Sequence, residues 1–458
     1  MIISPVFDKK SKMPIYIQLY EYIKSEITSG LLKPDSKLPS IREASSTLNL
    51  SKTTIENAYY QLVAEGYIEN LPKKGYFVCN LSEYSFEKKL SIIKSNVEEK
   101  EETIYLNDGV DIESFDISIW KRLYNKVISD RSSNIYNNGS IQGEKLLREE
   151  ISNFVNTMRG ANTTSEQVIV GAGGQYLLGI LIGIIKKNYN SAAVEKPGYE
   201  KAQFIFEDYS FDVKHIEVSD NGFPPISELK KSNAKVLYIS PSHQYPLGNV
   251  MPVNKRMELL DYTYKNDGLI IEDDYDAIIR YDAMPVPCLQ GLDKHDCVIY
   301  LGSFSKMLLP SLRISFIIIP KKLLNRYYEI KDKYTQSTSK LDQLVLANFM
   351  KEGYMVKHIR KIKRIYRKKN LMLTNSILKK FKNKIDIINS NSGLHIVCEA
   401  KTNKDEEKII KDCFNNKLLL NIISKKENKI LFSLSYSGID LNKISEFTDI
   451  LGKVLFEN

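Results

Sequence analysis

The sequence predicts a two-part α/β protein: a small winged helix-turn-helix module, a charged linker, and a large α/β domain on a mainly parallel sheet. Three observations predict it. Residues 12–79 carry short helical patterns that end in two strand-like pieces. Residues 80–103, "NLSEYSFEKKLSIIKSNVEEKEET", are dense in charge and low in aromatic content. Residues 104–458 alternate apolar β-rich runs with helical stretches. At 458 residues the chain also exceeds what one hydrophobic core usually organises.

The first module reads in order. In "MPIYIQLYEYIKSEITSG", Ile15, Leu19, Ile23 and Ile27 stand four apart on one helix face, and Gly30 stops it. Ser40 with Glu43 three residues later is a capping box, so a second helix starts there. Ser51 caps a third, with Ile55, Ala58, Leu62 and Val63 on its inner side and Gly66 at its end. Two helices joined by a tight turn read as helix-turn-helix, and "YIENLPKKGYFV" adds a two-stranded wing with a Lys-Lys-Gly tip. The third helix would lie in a major groove and present Lys52, Thr53 and Thr54 to base edges, with Arg42 near a phosphate or a guanine. Residues 1–80 carry ten basic and eight acidic side chains, so charge alone does not separate a DNA binder from a helical protein-interaction module.

The linker is expected to be partly helical around Phe86–Ile93. Beyond it, strands are expected at 168–170, 191–195, 213–217, 235–240, 269–272, 298–301 and 314–319. No run is long and apolar enough for a membrane span, and the start of the chain has no signal-peptide pattern. The five cysteines are scattered with no C-x-x-C pair, which fits reduced thiols in a cytoplasm and argues against zinc or any other metal centre. A net charge of +9 permits a polyanionic partner.

The chemistry gathers where these strands end. "GSFSKMLLPSLR" (302–313) puts Ser303, Ser305, Lys306 and Arg313 after one of them. Ligands bind at carboxyl ends of such sheets, hydroxyls and guanidinium suit a phosphate, and a lysine beside a phosphate-bearing aldehyde suits a pyridoxal phosphate Schiff base. "IIEDDYDAIIRY" (270–281) offers Asp273, with Asp274 as the competing choice, to keep a pyridinium nitrogen protonated. Tyr275 is placed for that ring's 3-oxygen. "VIVGAGGQYLLGIL" (168–181) brings the Gly173, Gly174 and Gln175 backbone to a helix start that can cradle a phosphate, and it does not match the dinucleotide fingerprint. Tyr199 in "EKPGYE" is placed to stack on a planar ring, and His243 in "PSHQYPLG" to touch it.

The order helix, "LPSIRE", "LSKTTIENAYYQL", "EGYI", "KKGYFV" resembles the winged-helix domain of GntR-family transcription regulators. The resemblance implies DNA contacts from Arg42, Lys52, Thr53, Thr54 and Gly75, and phosphate contacts from Ser40 and Lys74. From about residue 105 onward, G-x-G-G-Q, P-G-Y, P-S-H-Q-x-P-x-G, E-D-D-Y-D and S-F-S-K-x-x-x-P-x-x-R together resemble a fold type I aminotransferase domain. That implies pyridoxal 5'-phosphate as cofactor, with Lys306 as the imine-forming lysine, Asp273 on the pyridine nitrogen, Tyr275 on the 3-oxygen and Tyr199 on the ring face. It also implies Ser303, Ser305, Arg313 and the Gly173–Gln175 backbone on the phosphate. Tyr136 in "YNNGSIQG" resembles the tyrosine that reaches the partner subunit's phosphate, which implies a homodimer.

The two resemblances joined in one chain are similar to the MocR subfamily of GntR regulators. "HIRKIKRIYRKKN" (358–370) resembles a basic helix of that subfamily, and residues 351–384 hold thirteen Lys or Arg against one acid. The stripe Ile359, Ile362, Ile365 and Tyr366 also marks it as an amphipathic helix with a solvated face, beside the alternative of a second DNA surface. Two departures bear on chemistry. Tyr245-Pro246 stands where aminotransferases usually carry Asn-Pro, and Ser433 aligns with the arginine that usually clamps a substrate's α-carboxylate. With that clamp missing, and "SGLHIV" placing His395 near the site, the chain is expected to sense pyridoxal phosphate itself, as in the branch that controls vitamin B6 biosynthesis. The alternatives are a regulator that responds to an amino acid forming an external aldimine, and a working aminotransferase.

Overall fold

The computed structural model describes residues 5, 7–8, 11, 13–80, 107, 109–111, 113–130, 135–219, 222–281, 286–390 and 392–457. The expected linker falls almost wholly outside them. The chain divides into one unit over Met1–Lys100 and a second over Glu101–Asn458.

In the first unit, α1 (Ile15–Thr28), α2 (Ile41–Leu48) and α3 (Lys52–Ala64) precede a hairpin of β1 (Ile68–Leu71) and β2 (Gly75–Val78). Leu19, Ile23, Ile55, Ala58 and Leu62 are fully buried and close one core. Tyr59, which the helix pattern did not single out, is buried with them and donates its hydroxyl to the Pro39 carbonyl at 3.1 Å. Ser40 and Glu43 form the reciprocal capping box of α2. Gly75 has φ +105°, which the tight wing turn requires and a side chain would resist.

In the second unit, α4 (Ile117–Ser129) and α5 (Lys145–Arg159) lead into an alternating series. It runs β3 (Val168–Gly171), α6 (Gly174–Ile185), β4 (Ser191–Lys196), α7 (Glu200–Asp208), β5 (Asp212–Glu217), α8 (Ile226–Ser232) and β6 (Val236–Ile239). It continues with α9 (Val253–Lys265), β7 (Leu269–Asp274), α10 (Leu289–Leu292), β8 (Val298–Ser303), β9 (Ser315–Ile318) and α11 (Lys321–Ile330). Among the described residues these strands form one sheet in the order β3-β9-β8-β7-β6-β4-β5. The pairings β4 with β5, β4 with β6, β6 with β7 and β7 with β8 are parallel, and β9 runs antiparallel to both β3 and β8. Apolar cores cover both faces, so the strands read as continuous apolar runs rather than alternating ones. Helix α6 is apolar nearly all round because it lies inside one of those layers.

The chain then passes α12 (Lys340–Lys351) and the long α13 (Tyr354–Phe381) into a smaller antiparallel sheet. Its strands are β10 (Ile385–Asn389), β11 (His395–Lys401), β12 (Asn421–Lys426) and β13 (Lys429–Ser435), with α14 (Glu406–Asn415) and α15 (Ile444–Phe456) alongside. Its order is β10-β11-β13-β12. Ile359, Ile362 and Tyr366 of α13 are buried and Ile365 half-buried, so the amphipathic stripe expected there is real packing. Lys369 on the same helix is buried too, its charge met by Asp111 at 2.6 Å and the Ser437 carbonyl at 2.7 Å.

Candidate functional site

Strands β4, β6, β7 and β8 end at one edge of the large sheet, and a cavity of about 410 Å³ opens there. Lys306 lines it three residues beyond β8. Ser303 and Ser305 line it too, and the Ser305 N–H donates to Ser303 Oγ at 3.2 Å. Ser315 on neighbouring β9 donates to the same oxygen at 3.0 Å, which fixes the hydroxyl cluster.

The end of the cavity beside the β3–α6 turn is shaped by backbone. Gly173, with φ +98°, turns the chain from β3 into α6. A Cβ at Gly173 would fall 2.5 Å from Arg313 Nη2, so the turn and the guanidinium form one cradle that only glycine leaves open. Arg313 itself has φ +51°, a left-handed conformation that costs a non-glycine residue roughly 1 kcal/mol and here aims its fork at the turn. Gly174 and Gln175, which open α6 at the positive end of its helix dipole, line the cavity together with Arg313.

Period-two alternation along β7 divides the carboxylates. Asp273 lines the cavity and accepts the Tyr238 hydroxyl at 2.5 Å. Asp274 turns the other way and is taken by Arg159 at 2.6 Å and the Tyr300 hydroxyl at 2.7 Å. Burial pushes the Asp273 carboxyl up to about 7, and the neighbouring Asp274 and Asp276 add to the rise against the Tyr238 hydrogen bond. A cationic N–H against Asp273 would bring it back down, so its surroundings fit a protonated ring nitrogen.

Tyr275 lines the cavity, and His243 does not. His243 stands behind the wall, where Nδ1 lies 2.7 Å from Asp276 Oδ1 and 3.0 Å from the Tyr275 hydroxyl. His243 therefore stands one residue back from the cavity, beside Tyr275, rather than in the position expected for a ring contact. A carboxylate only accepts, so Nδ1 carries the proton toward Asp276, and the Tyr275 hydroxyl keeps its own hydrogen for the cavity. Tyr199 lines the cavity with its ring 6.4 Å from that of Tyr238 at 22°. Gly174 and Gln175 complete the lining at the helix start, whereas Tyr136 is 96% exposed and does not reach this chain's own cavity.

Sequence reasoning missed the far end. Leu394, Leu419, Asn421 and Ser435 arrive from the small sheet and its approaches, hundreds of residues from the β3 turn. Asn421 Nδ2 donates to Ser433 Oγ at 3.2 Å, at the position expected to lack its arginine. His395 lies there as well, its Nε2–H donating to the Pro246 carbonyl at 3.0 Å. Burial, with His243 nearby, pushes His395 down to about 4, so it is neutral at ordinary pH. Among the described residues lining the cavity, Lys306 and Arg313 are the Lys and Arg side chains.

In the first unit the expected DNA-contacting residues gather at one end of α2 and α3 and on the wing. Arg42, Lys52, Thr53 and Lys74 are exposed. Ser40 and Thr54 are partly committed to the helix starts: Ser40 Oγ accepts the Glu43 N–H at 3.2 Å, and the Thr54 hydroxyl lies 2.8 Å from Ser51 Oγ.

A winged helix on a chain whose larger unit carries an aminotransferase-type pocket defines a class of two-part transcription regulators. The family of bacterial regulatory proteins, gntR family, matches residues 15–78, and aminotransferase class I and II matches residues 115–422. The chain is 38% identical over 414 residues to the uncharacterized HTH-type transcriptional regulator YdeL of Bacillus subtilis, covering 90% of this chain and 89% of that protein. It is 30% identical to the "Probable rhizopine catabolism regulatory protein MocR" of Rhizobium meliloti, over 88% of this chain and 85% of that one. It is 28% identical to the HTH-type pyridoxine biosynthesis transcriptional regulator PdxR of Corynebacterium glutamicum, over 79% and 78%. The fold of the larger unit matches a Pyrococcus horikoshii kynurenine aminotransferase with a TM-score of 0.67 at 21% identity, over 82% of this chain and 97% of that one. The protein belongs to the MocR subfamily of GntR-family transcription regulators. No helix among the described residues is long and apolar enough to cross a membrane.

Proposed function

We propose that the protein is a cytoplasmic, homodimeric, DNA-binding regulator that binds pyridoxal 5'-phosphate at Lys306 and takes it as the effector that controls vitamin B6 synthesis genes. The bound cofactor would supply an aldehyde that an amine takes up covalently and a ring that draws electrons. In this reading the chain's residues hold and orient it. Lys306 offers the amine, Asp273 takes the ring N–H, and Tyr275 donates to the ring oxygen with its other side held by His243. Tyr199 covers the ring face, and Ser303, Ser305, Arg313 and the Gly173–Gln175 backbone hold the phosphate.

The observation that carries the choice of effector is the cavity's far end. Ser433 and Asn421 bond each other there, and no guanidinium that could fork onto an α-carboxylate stands beside them among the described lining residues. A serine cannot replace that charge-assisted pair. The similarity to PdxR supports the same reading. The second reading is a regulator that responds to an amino acid, held by the Asn421, Ser433 and Ser435 polar groups at the far end.

The test is a gel shift on the gene's own upstream DNA with and without pyridoxal phosphate, alongside absorbance titrations with amino acids and a keto acid. A shift that pyridoxal phosphate alone alters, lost in Lys306→Ala together with the covalent absorbance, supports the proposal. A spectral change confined to one amino acid moves the effector to that compound, and full turnover with a keto acid makes the protein an enzyme.

A further inference from the structure

The far end of the cavity is built on one face of a strand pair. Asn421 of β12 stands opposite Ser433 of β13, and the same register carried one rung further sets Leu419 opposite Ser435. Positions two apart share a face, and Leu419, Asn421, Ser433 and Ser435 line the cavity together. The Tyr436 N–H turns to the Leu394 carbonyl at 3.1 Å, on the side of β11, so by alternation the N–H and C=O of Ser435 face β12. Leu419 and Ser435 are thus placed to exchange the two bonds of an ordinary antiparallel rung.

A side chain occupies that rung instead. Asn107 is fully buried, and its Nδ2 donates to the Leu419 carbonyl at 2.8 Å and to the Ser435 carbonyl at 3.1 Å. Its Oδ1 accepts the Leu419 N–H at 2.9 Å. One amide therefore joins two backbone segments of the cavity wall, 312 and 328 residues away in sequence. Asn107 is also the first described residue after the charged stretch that follows the winged helix. The residues behind it are anchored away from the cavity: Ser437 Oγ donates to the Gly109 carbonyl at 2.7 Å, and Asp111 meets Lys369 of α13 at 2.6 Å. The tyrosines placed around the cofactor ring reach the same rung. The Tyr245 ring stands edge-on to Tyr199 and Tyr275 at 6.4 and 6.0 Å, and its hydroxyl lies 3.4 Å from Asn421 Nδ2.

Such a rung has two arrangements that satisfy its backbone. The amide is inserted, as here, or Leu419 and Ser435 bond each other and Asn107 withdraws. Positions between the two leave buried polar groups unpaired, so the element switches rather than drifts. An occupant between the walls favours the inserted arrangement, and a change at Asn107 alters affinity for that occupant by the same factor. We propose that Asn107 couples the Lys306 pocket to the chain that leads to the winged helix: occupancy keeps its amide in the β12–β13 rung, and an empty pocket lets the rung close and frees it. The coupling rests on pyridoxal phosphate being the effector.

The test uses full-length protein. Hydrogen exchange is followed by mass spectrometry with and without pyridoxal phosphate, and needs no variant to fold. Slower exchange is expected in the peptide holding Asn107 and in the peptide holding Leu419, by similar factors, because one amide serves both. Protection of one without the other overturns the coupling. Binding to the upstream duplex is then measured. Asn107→Ala should keep the covalent absorbance at Lys306 yet hold duplex affinity at the value of cofactor-free wild type, with pyridoxal phosphate changing it by less than about twofold. Asn107→Asp, which keeps the acceptor and loses both donors, should behave alike. Ser437→Ala removes a bond from the same segment at a residue that does not line the cavity, and should keep the wild-type response. An equal loss there means general loosening and overturns the role of Asn107. Asn107 variants that respond as wild type does overturn the coupling alone. A wild type with no covalent absorbance, or whose duplex affinity ignores pyridoxal phosphate, overturns the effector reading and the coupling with it.

Discussion

At the scale of single residues, the dependence of stability on pH rests on a few buried carboxyls. Burial pushes Glu195 up to about 8 and Glu272 and Asp273 to about 7. Glu195 accepts the Ser240 N–H at 3.1 Å, yet its Oε1 is buried without a partner. These folded values lie above the roughly 4 of an unfolded carboxyl, so the folded chain holds protons that the unfolded chain has released. The associated stability is present below about pH 4 and is lost as pH rises toward about 8. Melting curves of the cofactor-free protein should therefore fall across that window. Glu195→Gln should flatten the fall and raise the melting temperature by a few degrees at the alkaline end; an unchanged slope refutes the assignment. Tyr275 leads to a second expectation. Its hydrogen, left free by the His243–Asp276 pair, would favour an ionised ring oxygen. Tyr275→Phe should raise the midpoint of the chromophore's pH titration by about one unit, and Asp276→Asn should move it the same way by less. Absorbance spectra against pH decide both.

At the scale of elements, strand ends and helix starts make the site. The turn from β3 to α6 works because Gly173 adopts φ +98° beside Arg313. Gly173→Ala is expected to lower pyridoxal phosphate affinity at least about tenfold, since a displaced guanidinium forfeits a charge-assisted bond of about 1.5–3 kcal/mol. Gly174→Ala is the control: its Cβ would meet Leu301 at 3.6 Å, an ordinary contact, and affinity should stay close to wild type. Equal losses in the two variants, read by fluorescence titration, remove the cradle from the argument. The same elements were legible in sequence wherever a local period marked them. All seven strands expected in the large sheet occur, with ends moved by no more than a couple of residues, and α2 and α3 begin at the serines that cap them. The small sheet was not: none of its strands is among those expected, because charged and polar residues interrupt the apolar runs of β10 and β12.

At the scale of the whole molecule, Tyr136 is nearly fully exposed, while the phosphate cradle that its motif is expected to serve lies in a cavity it does not line. A partner subunit resolves this in the proposed dimer. Light scattering should give twice the chain mass, and Tyr136→Phe should keep the dimer while weakening pyridoxal phosphate binding a few-fold. A monomer, or an unaltered affinity, would remove the contact across subunits. Sequence alone determined which chemistry the chain carries, because hydroxyls, glycines, a lysine and a carboxylate at strand ends are set by local patterns of period two and 3.6. Only tertiary structure decided that His243 backs Tyr275, that Asp274 is spent on Arg159, and that Asn421 and Leu419 close the far end. Those pairings join residues far apart in the chain, and close packing chooses such neighbours where no short-range pattern records them.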